Sequence, residues 1–205
     1  MNGLQRTKVS ELFASASAPL YTDCPSIKLN IAQSQMLSLP LFDFCSSNEL
    51  PAVNLQGLTA EQGDKLRQDY GLLKKQLSEL PHLAGHIYMH LSLPHSEWIA
   101  DCVVLYRGLI FVIAIDQQSD TYQPHDLVTV HAMARSLKEH HSASRDKFII
   151  PVLLAPNVAP QGSAIQVSED LVAATMCDTG EHLAALVEHF SNQYKDDEIL
   201  ADEWL

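Results

Sequence analysis

Two aspartates lie at the ends of an apolar hairpin pattern in residues 97–118, EWIADCVVLYRGLIFVIAIDQQ. A tight turn at the central Arg-Gly dipeptide would place Asp101 opposite Ala114 on the neighbouring strand. Side chains alternate between the two faces of a strand, so Asp116 and Gln118 are predicted to share the face of Asp101. The pattern therefore predicts a polar cluster at one edge of a sheet.

Two carboxylates and a lysine at such strand ends can hold a magnesium ion and activate water against a phosphodiester. Asp101 and Asp116 are the candidate metal ligands here, and Gln118 takes the place that a lysine would need. Glutamine has no positive charge, so it would stabilise the attacking group less than lysine does. The alternative interpretation is that both aspartates are solvated strand ends or turn formers, because a single carboxylate pair is a weak signal.

The balance of charge limits what the protein can bind. The chain has 205 residues, a 46% hydrophobic share and a formal net charge of −12. Such a surface repels phosphate, so any contact with nucleic acid must come from a local basic surface. One basic stretch fits, residues 131–147, and its candidate nucleic-acid-binding side chains are Arg135, Lys138, Arg145 and Lys147. The alternative is an ordinary solvated helix face.

The cysteines and the apolar tracts favour a reduced, intracellular protein. The four cysteines are scattered without a C-x-x-C pair, which is typical of a cytoplasmic protein. The N-terminal residues lack the apolar stretch of a signal peptide. The apolar tract of residues 102–115 is too short to span a bilayer. We therefore expect a cytoplasmic protein with no membrane contact.

The histidines suggest a metal site less strongly. His82, His86 and His90 are four residues apart, a spacing that would place them on one face of a helix. Pro81 and Gly85 favour a loop followed by a strand instead, where His86 and His90 would be too far apart to chelate one ion. A zinc site is therefore the weaker interpretation of these residues.

Hydrophobic periodicity predicts an α/β domain. Thr59 and Gln62 form a capping box before a helix with apolar residues at spacings of four and three. Three strands follow, one near residues 86–93 and two in the hairpin of residues 100–116. A helix from Pro124 to His140 and a buried strand over residues 148–155 complete the order, with Pro151 predicted at an edge or a bulge. A mixed sheet with helices on its faces is expected.

This order of elements resembles the restriction-endonuclease-like, or PD-(D/E)XK, fold. Residues 85–158 resemble the N-terminal nuclease-like domain of Schlafen group 3-like DNA/RNA helicases. The similarity lies in three segments, GHIYMHLSLPHSEWIADCVVL, GLIFVIAIDQ and HAMARSLKEHHSASRDKFIIPVLLAPN. The resemblance implies a mixed sheet flanked by helices and a metal-dependent phosphodiesterase site at its edge.

The chain departs from the family pattern at the site itself. The family aspartate is retained as Asp101, but its strand glutamate falls on His90, and its Glu-x-Lys motif falls on Ala114-Ile115-Asp116. The resemblance therefore implies a catalytically degenerate accessory domain with no cofactor. A shifted alignment leaves an active nuclease open, in which Asp101 and Asp116 hold Mg²⁺ or Mn²⁺ and Gln118 replaces the lysine.

The resemblance also implies the partners and the domain limits. The expected partner is a helicase or ATPase domain, or another protein, with weak nucleic-acid contact. The chain has no G-x-x-x-x-G-K-[ST] motif, so it is not itself the ATPase. We expect an N-terminal helical or loop segment over residues 1–57, the nuclease-like domain over residues 58–195, and an acidic tail or linker over residues 196–205. A protein-interaction domain without nucleic-acid contact is the third possibility.

Overall fold

A computed structural model describes residues 36–50, 57–162 and 164–205. All of these residues belong to one contact unit, Ser34–Leu205. Most of the predicted N-terminal segment, residues 1–35 and 51–56, lies outside the described residues. Within the described part of the chain, no helix is both long enough and apolar enough to cross a bilayer.

The elements follow the order that the sequence predicts, with additions at both ends. The strands are β1 (Leu37–Pro40), β2 (His86–Ser92), β3 (Ile99–Tyr106), β4 (Leu109–Ile115), β5 (Phe148–Leu154) and β6 (Met176–Asp178). The helices are α1 (Leu41–Ser46), α2 (Ala60–Leu77), α3 (Pro124–His140), α4 (Leu183–Tyr194) and α5 (Ala201–Trp204). A 3₁₀ turn, Ser142–Ser144, follows α3.

The six strands form one mixed sheet in the order β1-β2-β3-β4-β5-β6. Strands β1 to β4 pair antiparallel with one another, whereas β5 pairs parallel with both β4 and β6. Helix α3 connects β4 to β5, as a parallel step requires. The predicted α/β class with a mixed sheet flanked by helices is therefore confirmed.

The predicted hairpin is confirmed in register. Tyr106 pairs with Leu109, and Cys102 pairs with Ile113, so the ladder continues toward Asp101 and Ala114. Arg107 and Gly108 have φ angles of 50° and 78°, which is the left-handed geometry of a two-residue hairpin turn. The tight turn therefore brings Asp101 to the edge of the sheet where β4 ends.

Both faces of the central strands are buried, which produces three layers. Alternate residues of β3 point into two separate cores: Cys102 and Val104 into one, Val103 and Leu105 into the other. Helices α1, α2 and α4 cover the first face, and α3 and α5 cover the second. Helix α2 begins at the predicted capping box, where Thr59 accepts from the backbone of Gln62 and the Gln62 side chain accepts from the backbone of Thr59.

Pro151 is not on an edge strand, because β5 lies between β4 and β6. Ile149 directs its backbone groups away from β4, donating to Leu171 and accepting from Ala173. Pro151, two residues later, faces the same side, just before the paired stretch of β5 and β6 begins at Val152. The missing N–H of Pro151 therefore lies just outside the paired stretch of β5 and β6, where it removes no hydrogen bond between these two strands.

The C-terminal residues pack against the sheet. The backbone N–H of Asp196 donates to the carbonyl of Arg107 at 3.1 Å, which joins residue 196 to the hairpin turn. Trp204 in α5 is 2% exposed. Residues 196–205, predicted as a tail or linker, thus contact the core.

Strand β1 is an element that the sequence did not indicate. It pairs antiparallel with β2 and forms one edge of the sheet.

The hairpin turn provides the first test. A Cβ added at Gly108 would lie 2.6 Å from the backbone of Asp196 and Asp197, at a φ of 78°. We expect Gly108→Ala to lower the free energy of unfolding by about 1–3 kcal/mol, measured by urea denaturation. The control is Gly71→Ala in α2, where no atom lies within 4 Å of the added Cβ. That change should instead stabilise the protein by roughly 0.5–1 kcal/mol. Equal effects of the two changes would show that Gly108 does not pack against the backbone of Asp196 and Asp197.

Candidate functional site

Asp101 lies at the edge of the sheet and is held from two sides. Its Oδ2 accepts from the backbone N–H of Ile115 on β4 at 2.8 Å. Its Oδ1 accepts from Lys65 Nζ at 2.9 Å, across from helix α2. The first bond uses a backbone group at the end of β4, so the hairpin fixes the position of this carboxylate. The second bond joins the hairpin to α2.

Helix α2 contributes a second carboxylate and the cation between the two. Lys65 Nζ lies 2.6 Å from Asp69 Oδ2, one helical turn further along α2. The other oxygen of Asp69 accepts from Gln117 Nε2 at 2.9 Å. Asp69 is 0% exposed, whereas the Lys65 side chain is 39% exposed. The ammonium therefore bridges a fully buried carboxylate, Asp69, and a partly exposed one, Asp101.

Burial and charge act in opposite directions on these groups. Burial opposes the charge on Lys65, but Asp101 and Asp69 outweigh it and raise the pKa of Lys65 further above its ordinary range. Complete removal from water raises the pKa of Asp69, with the Lys65 ammonium and the Gln117 amide opposing that rise. Asp69 thus depends on the lysine for its negative charge.

His90 on β2 completes the cluster in an unusual backbone conformation. Its φ is 56°, in the left-handed region that few non-glycine residues adopt. Its Nε2 is buried, with no hydrogen-bond partner among the described residues. Burial lowers the pKa of His90, while Asp101 and Asp69 oppose that effect. A neutral imidazole is the form that ligates metals.

Among the described residues, one group of side chains has the geometry of a metal site. One ligand atom each from Asp69, His90 and Asp101 lies within 4.8 Å of the other two. Two carboxylates and an imidazole suit a divalent ion, and the unpaired His90 nitrogen fits a missing ligand. The Lys65 ammonium already contacts both carboxylates, so an ion would have to compete with it.

The structure does not bring Asp116 and Gln118 into this cluster. Asp116 Oδ1 accepts from the backbone N–H groups of Gln118 at 2.9 Å and Ser119 at 3.1 Å. Burial opposes ionisation of Asp116, but its hydrogen bonds with Ser119 and Gln118, together with the charge of Lys65, outweigh that effect and lower its pKa. This is the turn-forming geometry, the alternative that the sequence left open. The side chain that enters the cluster from this loop is Gln117.

Asp69 was not among the site residues predicted from sequence, although the sequence contains a signal for it. The buried face of α2 contains Leu66, Tyr70 and Leu73, and Asp69 and Gln76 also lie on it. An aspartate at an apolar position of an amphipathic helix requires a partner, because burying an unpaired charge is costly. Lys65, one turn earlier, is that partner. Nothing in the sequence indicated that the pair meets Asp101.

Three of the four side chains of the predicted basic surface have partners within the molecule. Arg135 contacts Asp170 and also Glu139, the latter at 3.0 Å. Lys138 is 8% exposed, and its Nζ donates to the carbonyl of Lys147 at 2.6 Å. The ammonium of Lys147 in turn lies 2.9 Å from Asp196.

Arg145 is the exposed member of the predicted set. It makes no ion pair within the described residues, unlike Arg135 and Lys147. The cations needed for a phosphate-binding surface are therefore mostly committed to internal partners.

No family model, curated protein or solved structure matches the chain.

The ion-paired cluster predicts a pH-dependent cost of removing Lys65. Lys65→Met leaves ionised Asp69 buried without its partner, and we expect a loss of about 2 kcal/mol at neutral pH. Removing one partner of a fully buried ion pair costs roughly 3–5 kcal/mol, and the smaller loss is expected here because Lys65 is partly exposed. The pKa of Asp69 is already raised in the folded state. Ionised Asp69 therefore opposes folding, and the loss should shrink as the pH falls and Asp69 takes up a proton.

Urea denaturation at neutral and mildly acidic pH measures this effect. Lys65→Met/Asp69→Asn should recover most of the lost stability, because the uncompensated charge is gone. Lys75→Met, at an exposed position of the same helix, is the matched control and should change stability little. A pH-independent loss in Lys65→Met would show that Asp69 does not depend on the lysine.

Proposed function

We propose that this domain is a restriction-endonuclease-like module that has lost phosphodiester hydrolysis. The observation on which the proposal rests is the position of Lys65 Nζ, 2.6 Å from Asp69 and 2.9 Å from Asp101. In a metal-dependent nuclease a divalent ion would neutralise such a pair of carboxylates. Here a covalently attached ammonium does so. The carboxylates thereby serve stability and are not available as free metal ligands.

The order of elements supports the proposed fold. Helix α2, the strands β2, β3 and β4, helix α3 and strand β5 follow the order that the resemblance to the PD-(D/E)XK fold implies. Asp101 occupies the edge where β4 ends, which is where that fold would place its site. The domain would then act as an accessory to a helicase, another nucleic-acid-processing enzyme or a partner protein, in the cytoplasm.

A second candidate function is an active metal-dependent nuclease with residues supplied from α2. Ala114 and Asp116 replace the carboxylate and lysine of the resembled motif, and Asp69 and Lys65 bring the same two chemical groups to Asp101. A divalent ion bound there would polarise a phosphate and lower the pKa of a water. Asp69, His90 and Asp101 would hold it, and Lys65 would be free to contact the phosphate. This differs from the set predicted from sequence, Asp101, Asp116 and Gln118.

The charge distribution supports the third possibility, a protein-interaction domain. The net charge is −12, and three of the four predicted phosphate-binding cations have internal partners. Long-range repulsion of phosphate then has little local compensation. An acidic surface of this kind favours a basic protein partner over nucleic acid.

The proposal predicts that purified protein does not cleave DNA or RNA with Mg²⁺ or Mn²⁺. Gel assays on single- and double-stranded substrates should give the same result for the natural protein and for Asp101→Ala. Cleavage abolished by Asp101→Ala would overturn the proposal. If cleavage is also lost in the single variants Asp69→Asn and Lys65→Met, the second candidate is the active site. If cleavage is lost in Asp116→Ala instead, the active site is the set predicted from sequence.

Any nucleic-acid binding should be weak and only moderately dependent on salt. Four phosphate contacts would give a log–log salt slope of about −3 to −4, and internal pairing should reduce its magnitude below about 2. Fluorescence anisotropy with labelled oligonucleotides measures both quantities. Arg145→Glu should reduce binding, while Arg67→Glu on α2, already paired with Asp64, should not. Tight binding at physiological salt, unaffected by Arg145→Glu, would show that another surface binds.

A further inference from the structure

The last helix is attached to the sheet through one buried aromatic side chain. Trp204 is 2% exposed and contacts two rings, Tyr88 at 5.1 Å and His141 at 4.8 Å. The hydroxyl of Tyr88 donates to the carbonyl of Ala201 at 3.2 Å. Helix α5 has only four residues, so its own hydrogen bonds cannot hold it in place. Its position therefore depends on these side-chain contacts.

A buried relay of hydrogen bonds fixes the indole. Trp204 Nε1 donates to Ser144 Oγ at 2.9 Å, and the same oxygen lies 2.7 Å from His141 Nδ1. The indole can only donate, so the Ser144 oxygen accepts from it and the Ser144 hydrogen is available for His141. We assign His141 Nδ1 as the acceptor, because the Ser144 hydrogen has no other acceptor among the described residues. The relay is complete when His141 is neutral with its proton on Nε2.

Protonation of His141 breaks this arrangement. A proton on Nδ1 would point at the Ser144 oxygen and turn the Ser144 hydrogen away from its acceptor. Ser144 is 0% exposed, so the displaced hydrogen cannot reach water. A charge on His141 therefore leaves the buried Ser144 hydrogen without its acceptor and weakens the docking of Trp204.

We propose that residues 196–205 form a pH-sensitive latch, which neutral His141 holds through Ser144 and which opens when His141 takes up a proton. Opening would expose Tyr88, His141 and the indole itself. The first half of the latch has a separate attachment, through the Asp196 backbone to Arg107 and the Asp196 carboxylate to Lys147. Loss of the Trp204 contact would thus free the end of the segment first.

The electrostatic surroundings agree with this direction. Burial lowers the pKa of His141 below its ordinary value of 6.5, and the backbone of Trp204 only partly offsets it. A lowered pKa in the docked state means that docking is complete above 6.5 and weakens as the pH falls below that value. No carboxylate forms an ion pair with His141 in the described part of the chain. Its positive charge would therefore have no carboxylate partner in the closed latch, where the backbone of Trp204 is the group that favours the charged form.

Other titratable groups around the contact face elsewhere. On β2, His86 packs on Tyr88 at 4.7 Å and lies 2.8 Å from Ser38 Oγ. On α5, Asp202 acts electrostatically on His86 and Tyr88, and Glu203 is exposed. On α3, the ring of His140 packs on His95, and Lys138 donates to a backbone carbonyl. Burial also lowers the pKa of His86, so this residue is the alternative sensor.

The fluorescence of Trp204 tests the proposal directly. The chain has two tryptophans, so a Trp98→Phe background leaves Trp204 as the sole indole. The emission maximum, followed from about pH 7.5 to about pH 5, should shift to longer wavelength below the ordinary histidine range. Wavelength is preferable to intensity, because an imidazolium ring quenches an indole without exposing it. Far-UV circular dichroism should stay unchanged over the same range.

Three variants assign the effect to the relay. His141→Gln keeps an acceptor but cannot titrate, so its emission maximum should stay constant with pH. Ser144→Ala uncouples the indole from His141 and should reduce the pH-dependent shift even if His141→Gln fails to fold. His86→Gln should retain the shift.

Three results would overturn the proposal. The first is an emission maximum that stays constant with pH in the Trp98→Phe background. The second is an unchanged shift in His141→Gln or Ser144→Ala. The third is a shift abolished by His86→Gln, which would identify His86 as the sensor.

Discussion

The burial of β3 and β4 on both faces is the constraint on which the rest of the structure depends. Two strands with apolar side chains on both sides cannot form a stable sheet with one face in water. Helices must cover each face, and the connection from β4 to β5 supplies one of them as α3. The opposite face is covered by α1, α2 and α4. The three-layer arrangement therefore follows from the apolar side chains of the two strands that flank the hairpin turn.

The same burial creates the polar cluster at the sheet edge. Helix α2 must press its apolar face on the sheet, and that face includes Asp69. A carboxylate in this position needs a cation and hydrogen bonds, which Lys65 and Gln117 supply. Because Asp101 lies beside it, the lysine neutralises two carboxylates at once. A geometry suited to a metal site and a geometry suited to a structural ion pair therefore coincide in the same residues.

The C-terminal segment shows how a short element can hold a position without helical stability of its own. Trp204 supplies apolar area and a single N–H donor, and the buried Ser144 accepts from it. The segment also passes close to the hairpin turn, where only a glycine fits at position 108. The turn that sets the strand register thus also leaves room for residues 196 and 197. At the other end of the β3–β4 ladder, the same hairpin positions Asp101 through its bond to Ile115.

The sequence by itself determined the elements that depend on local patterns. The capping box at Thr59, the hairpin turn at Arg107, and the extent of α3 from Pro124 to His140 all agree with the structure. These features depend on residues that are close in sequence, so residue spacing and turn chemistry are sufficient to predict them. Strand β1 was not predicted, because a four-residue edge strand has little periodicity of its own.

Only the tertiary structure decided which side chains meet. Lys65 and Asp101 are 36 positions apart in sequence, and Trp204 and Ser144 are 60 apart. No local spacing indicates such pairs, because they result from how helices lie on the sheet. The sequence placed Asp101 beside the end of the second hairpin strand, and its bond to the backbone of Ile115 agrees, yet the carboxylate that joins it in the cluster is Asp69 and not Asp116. Asp116 instead accepts hydrogen bonds from the backbone N–H groups of the residues that follow it. Such local bonds cost less conformational entropy than a contact with a residue distant in sequence.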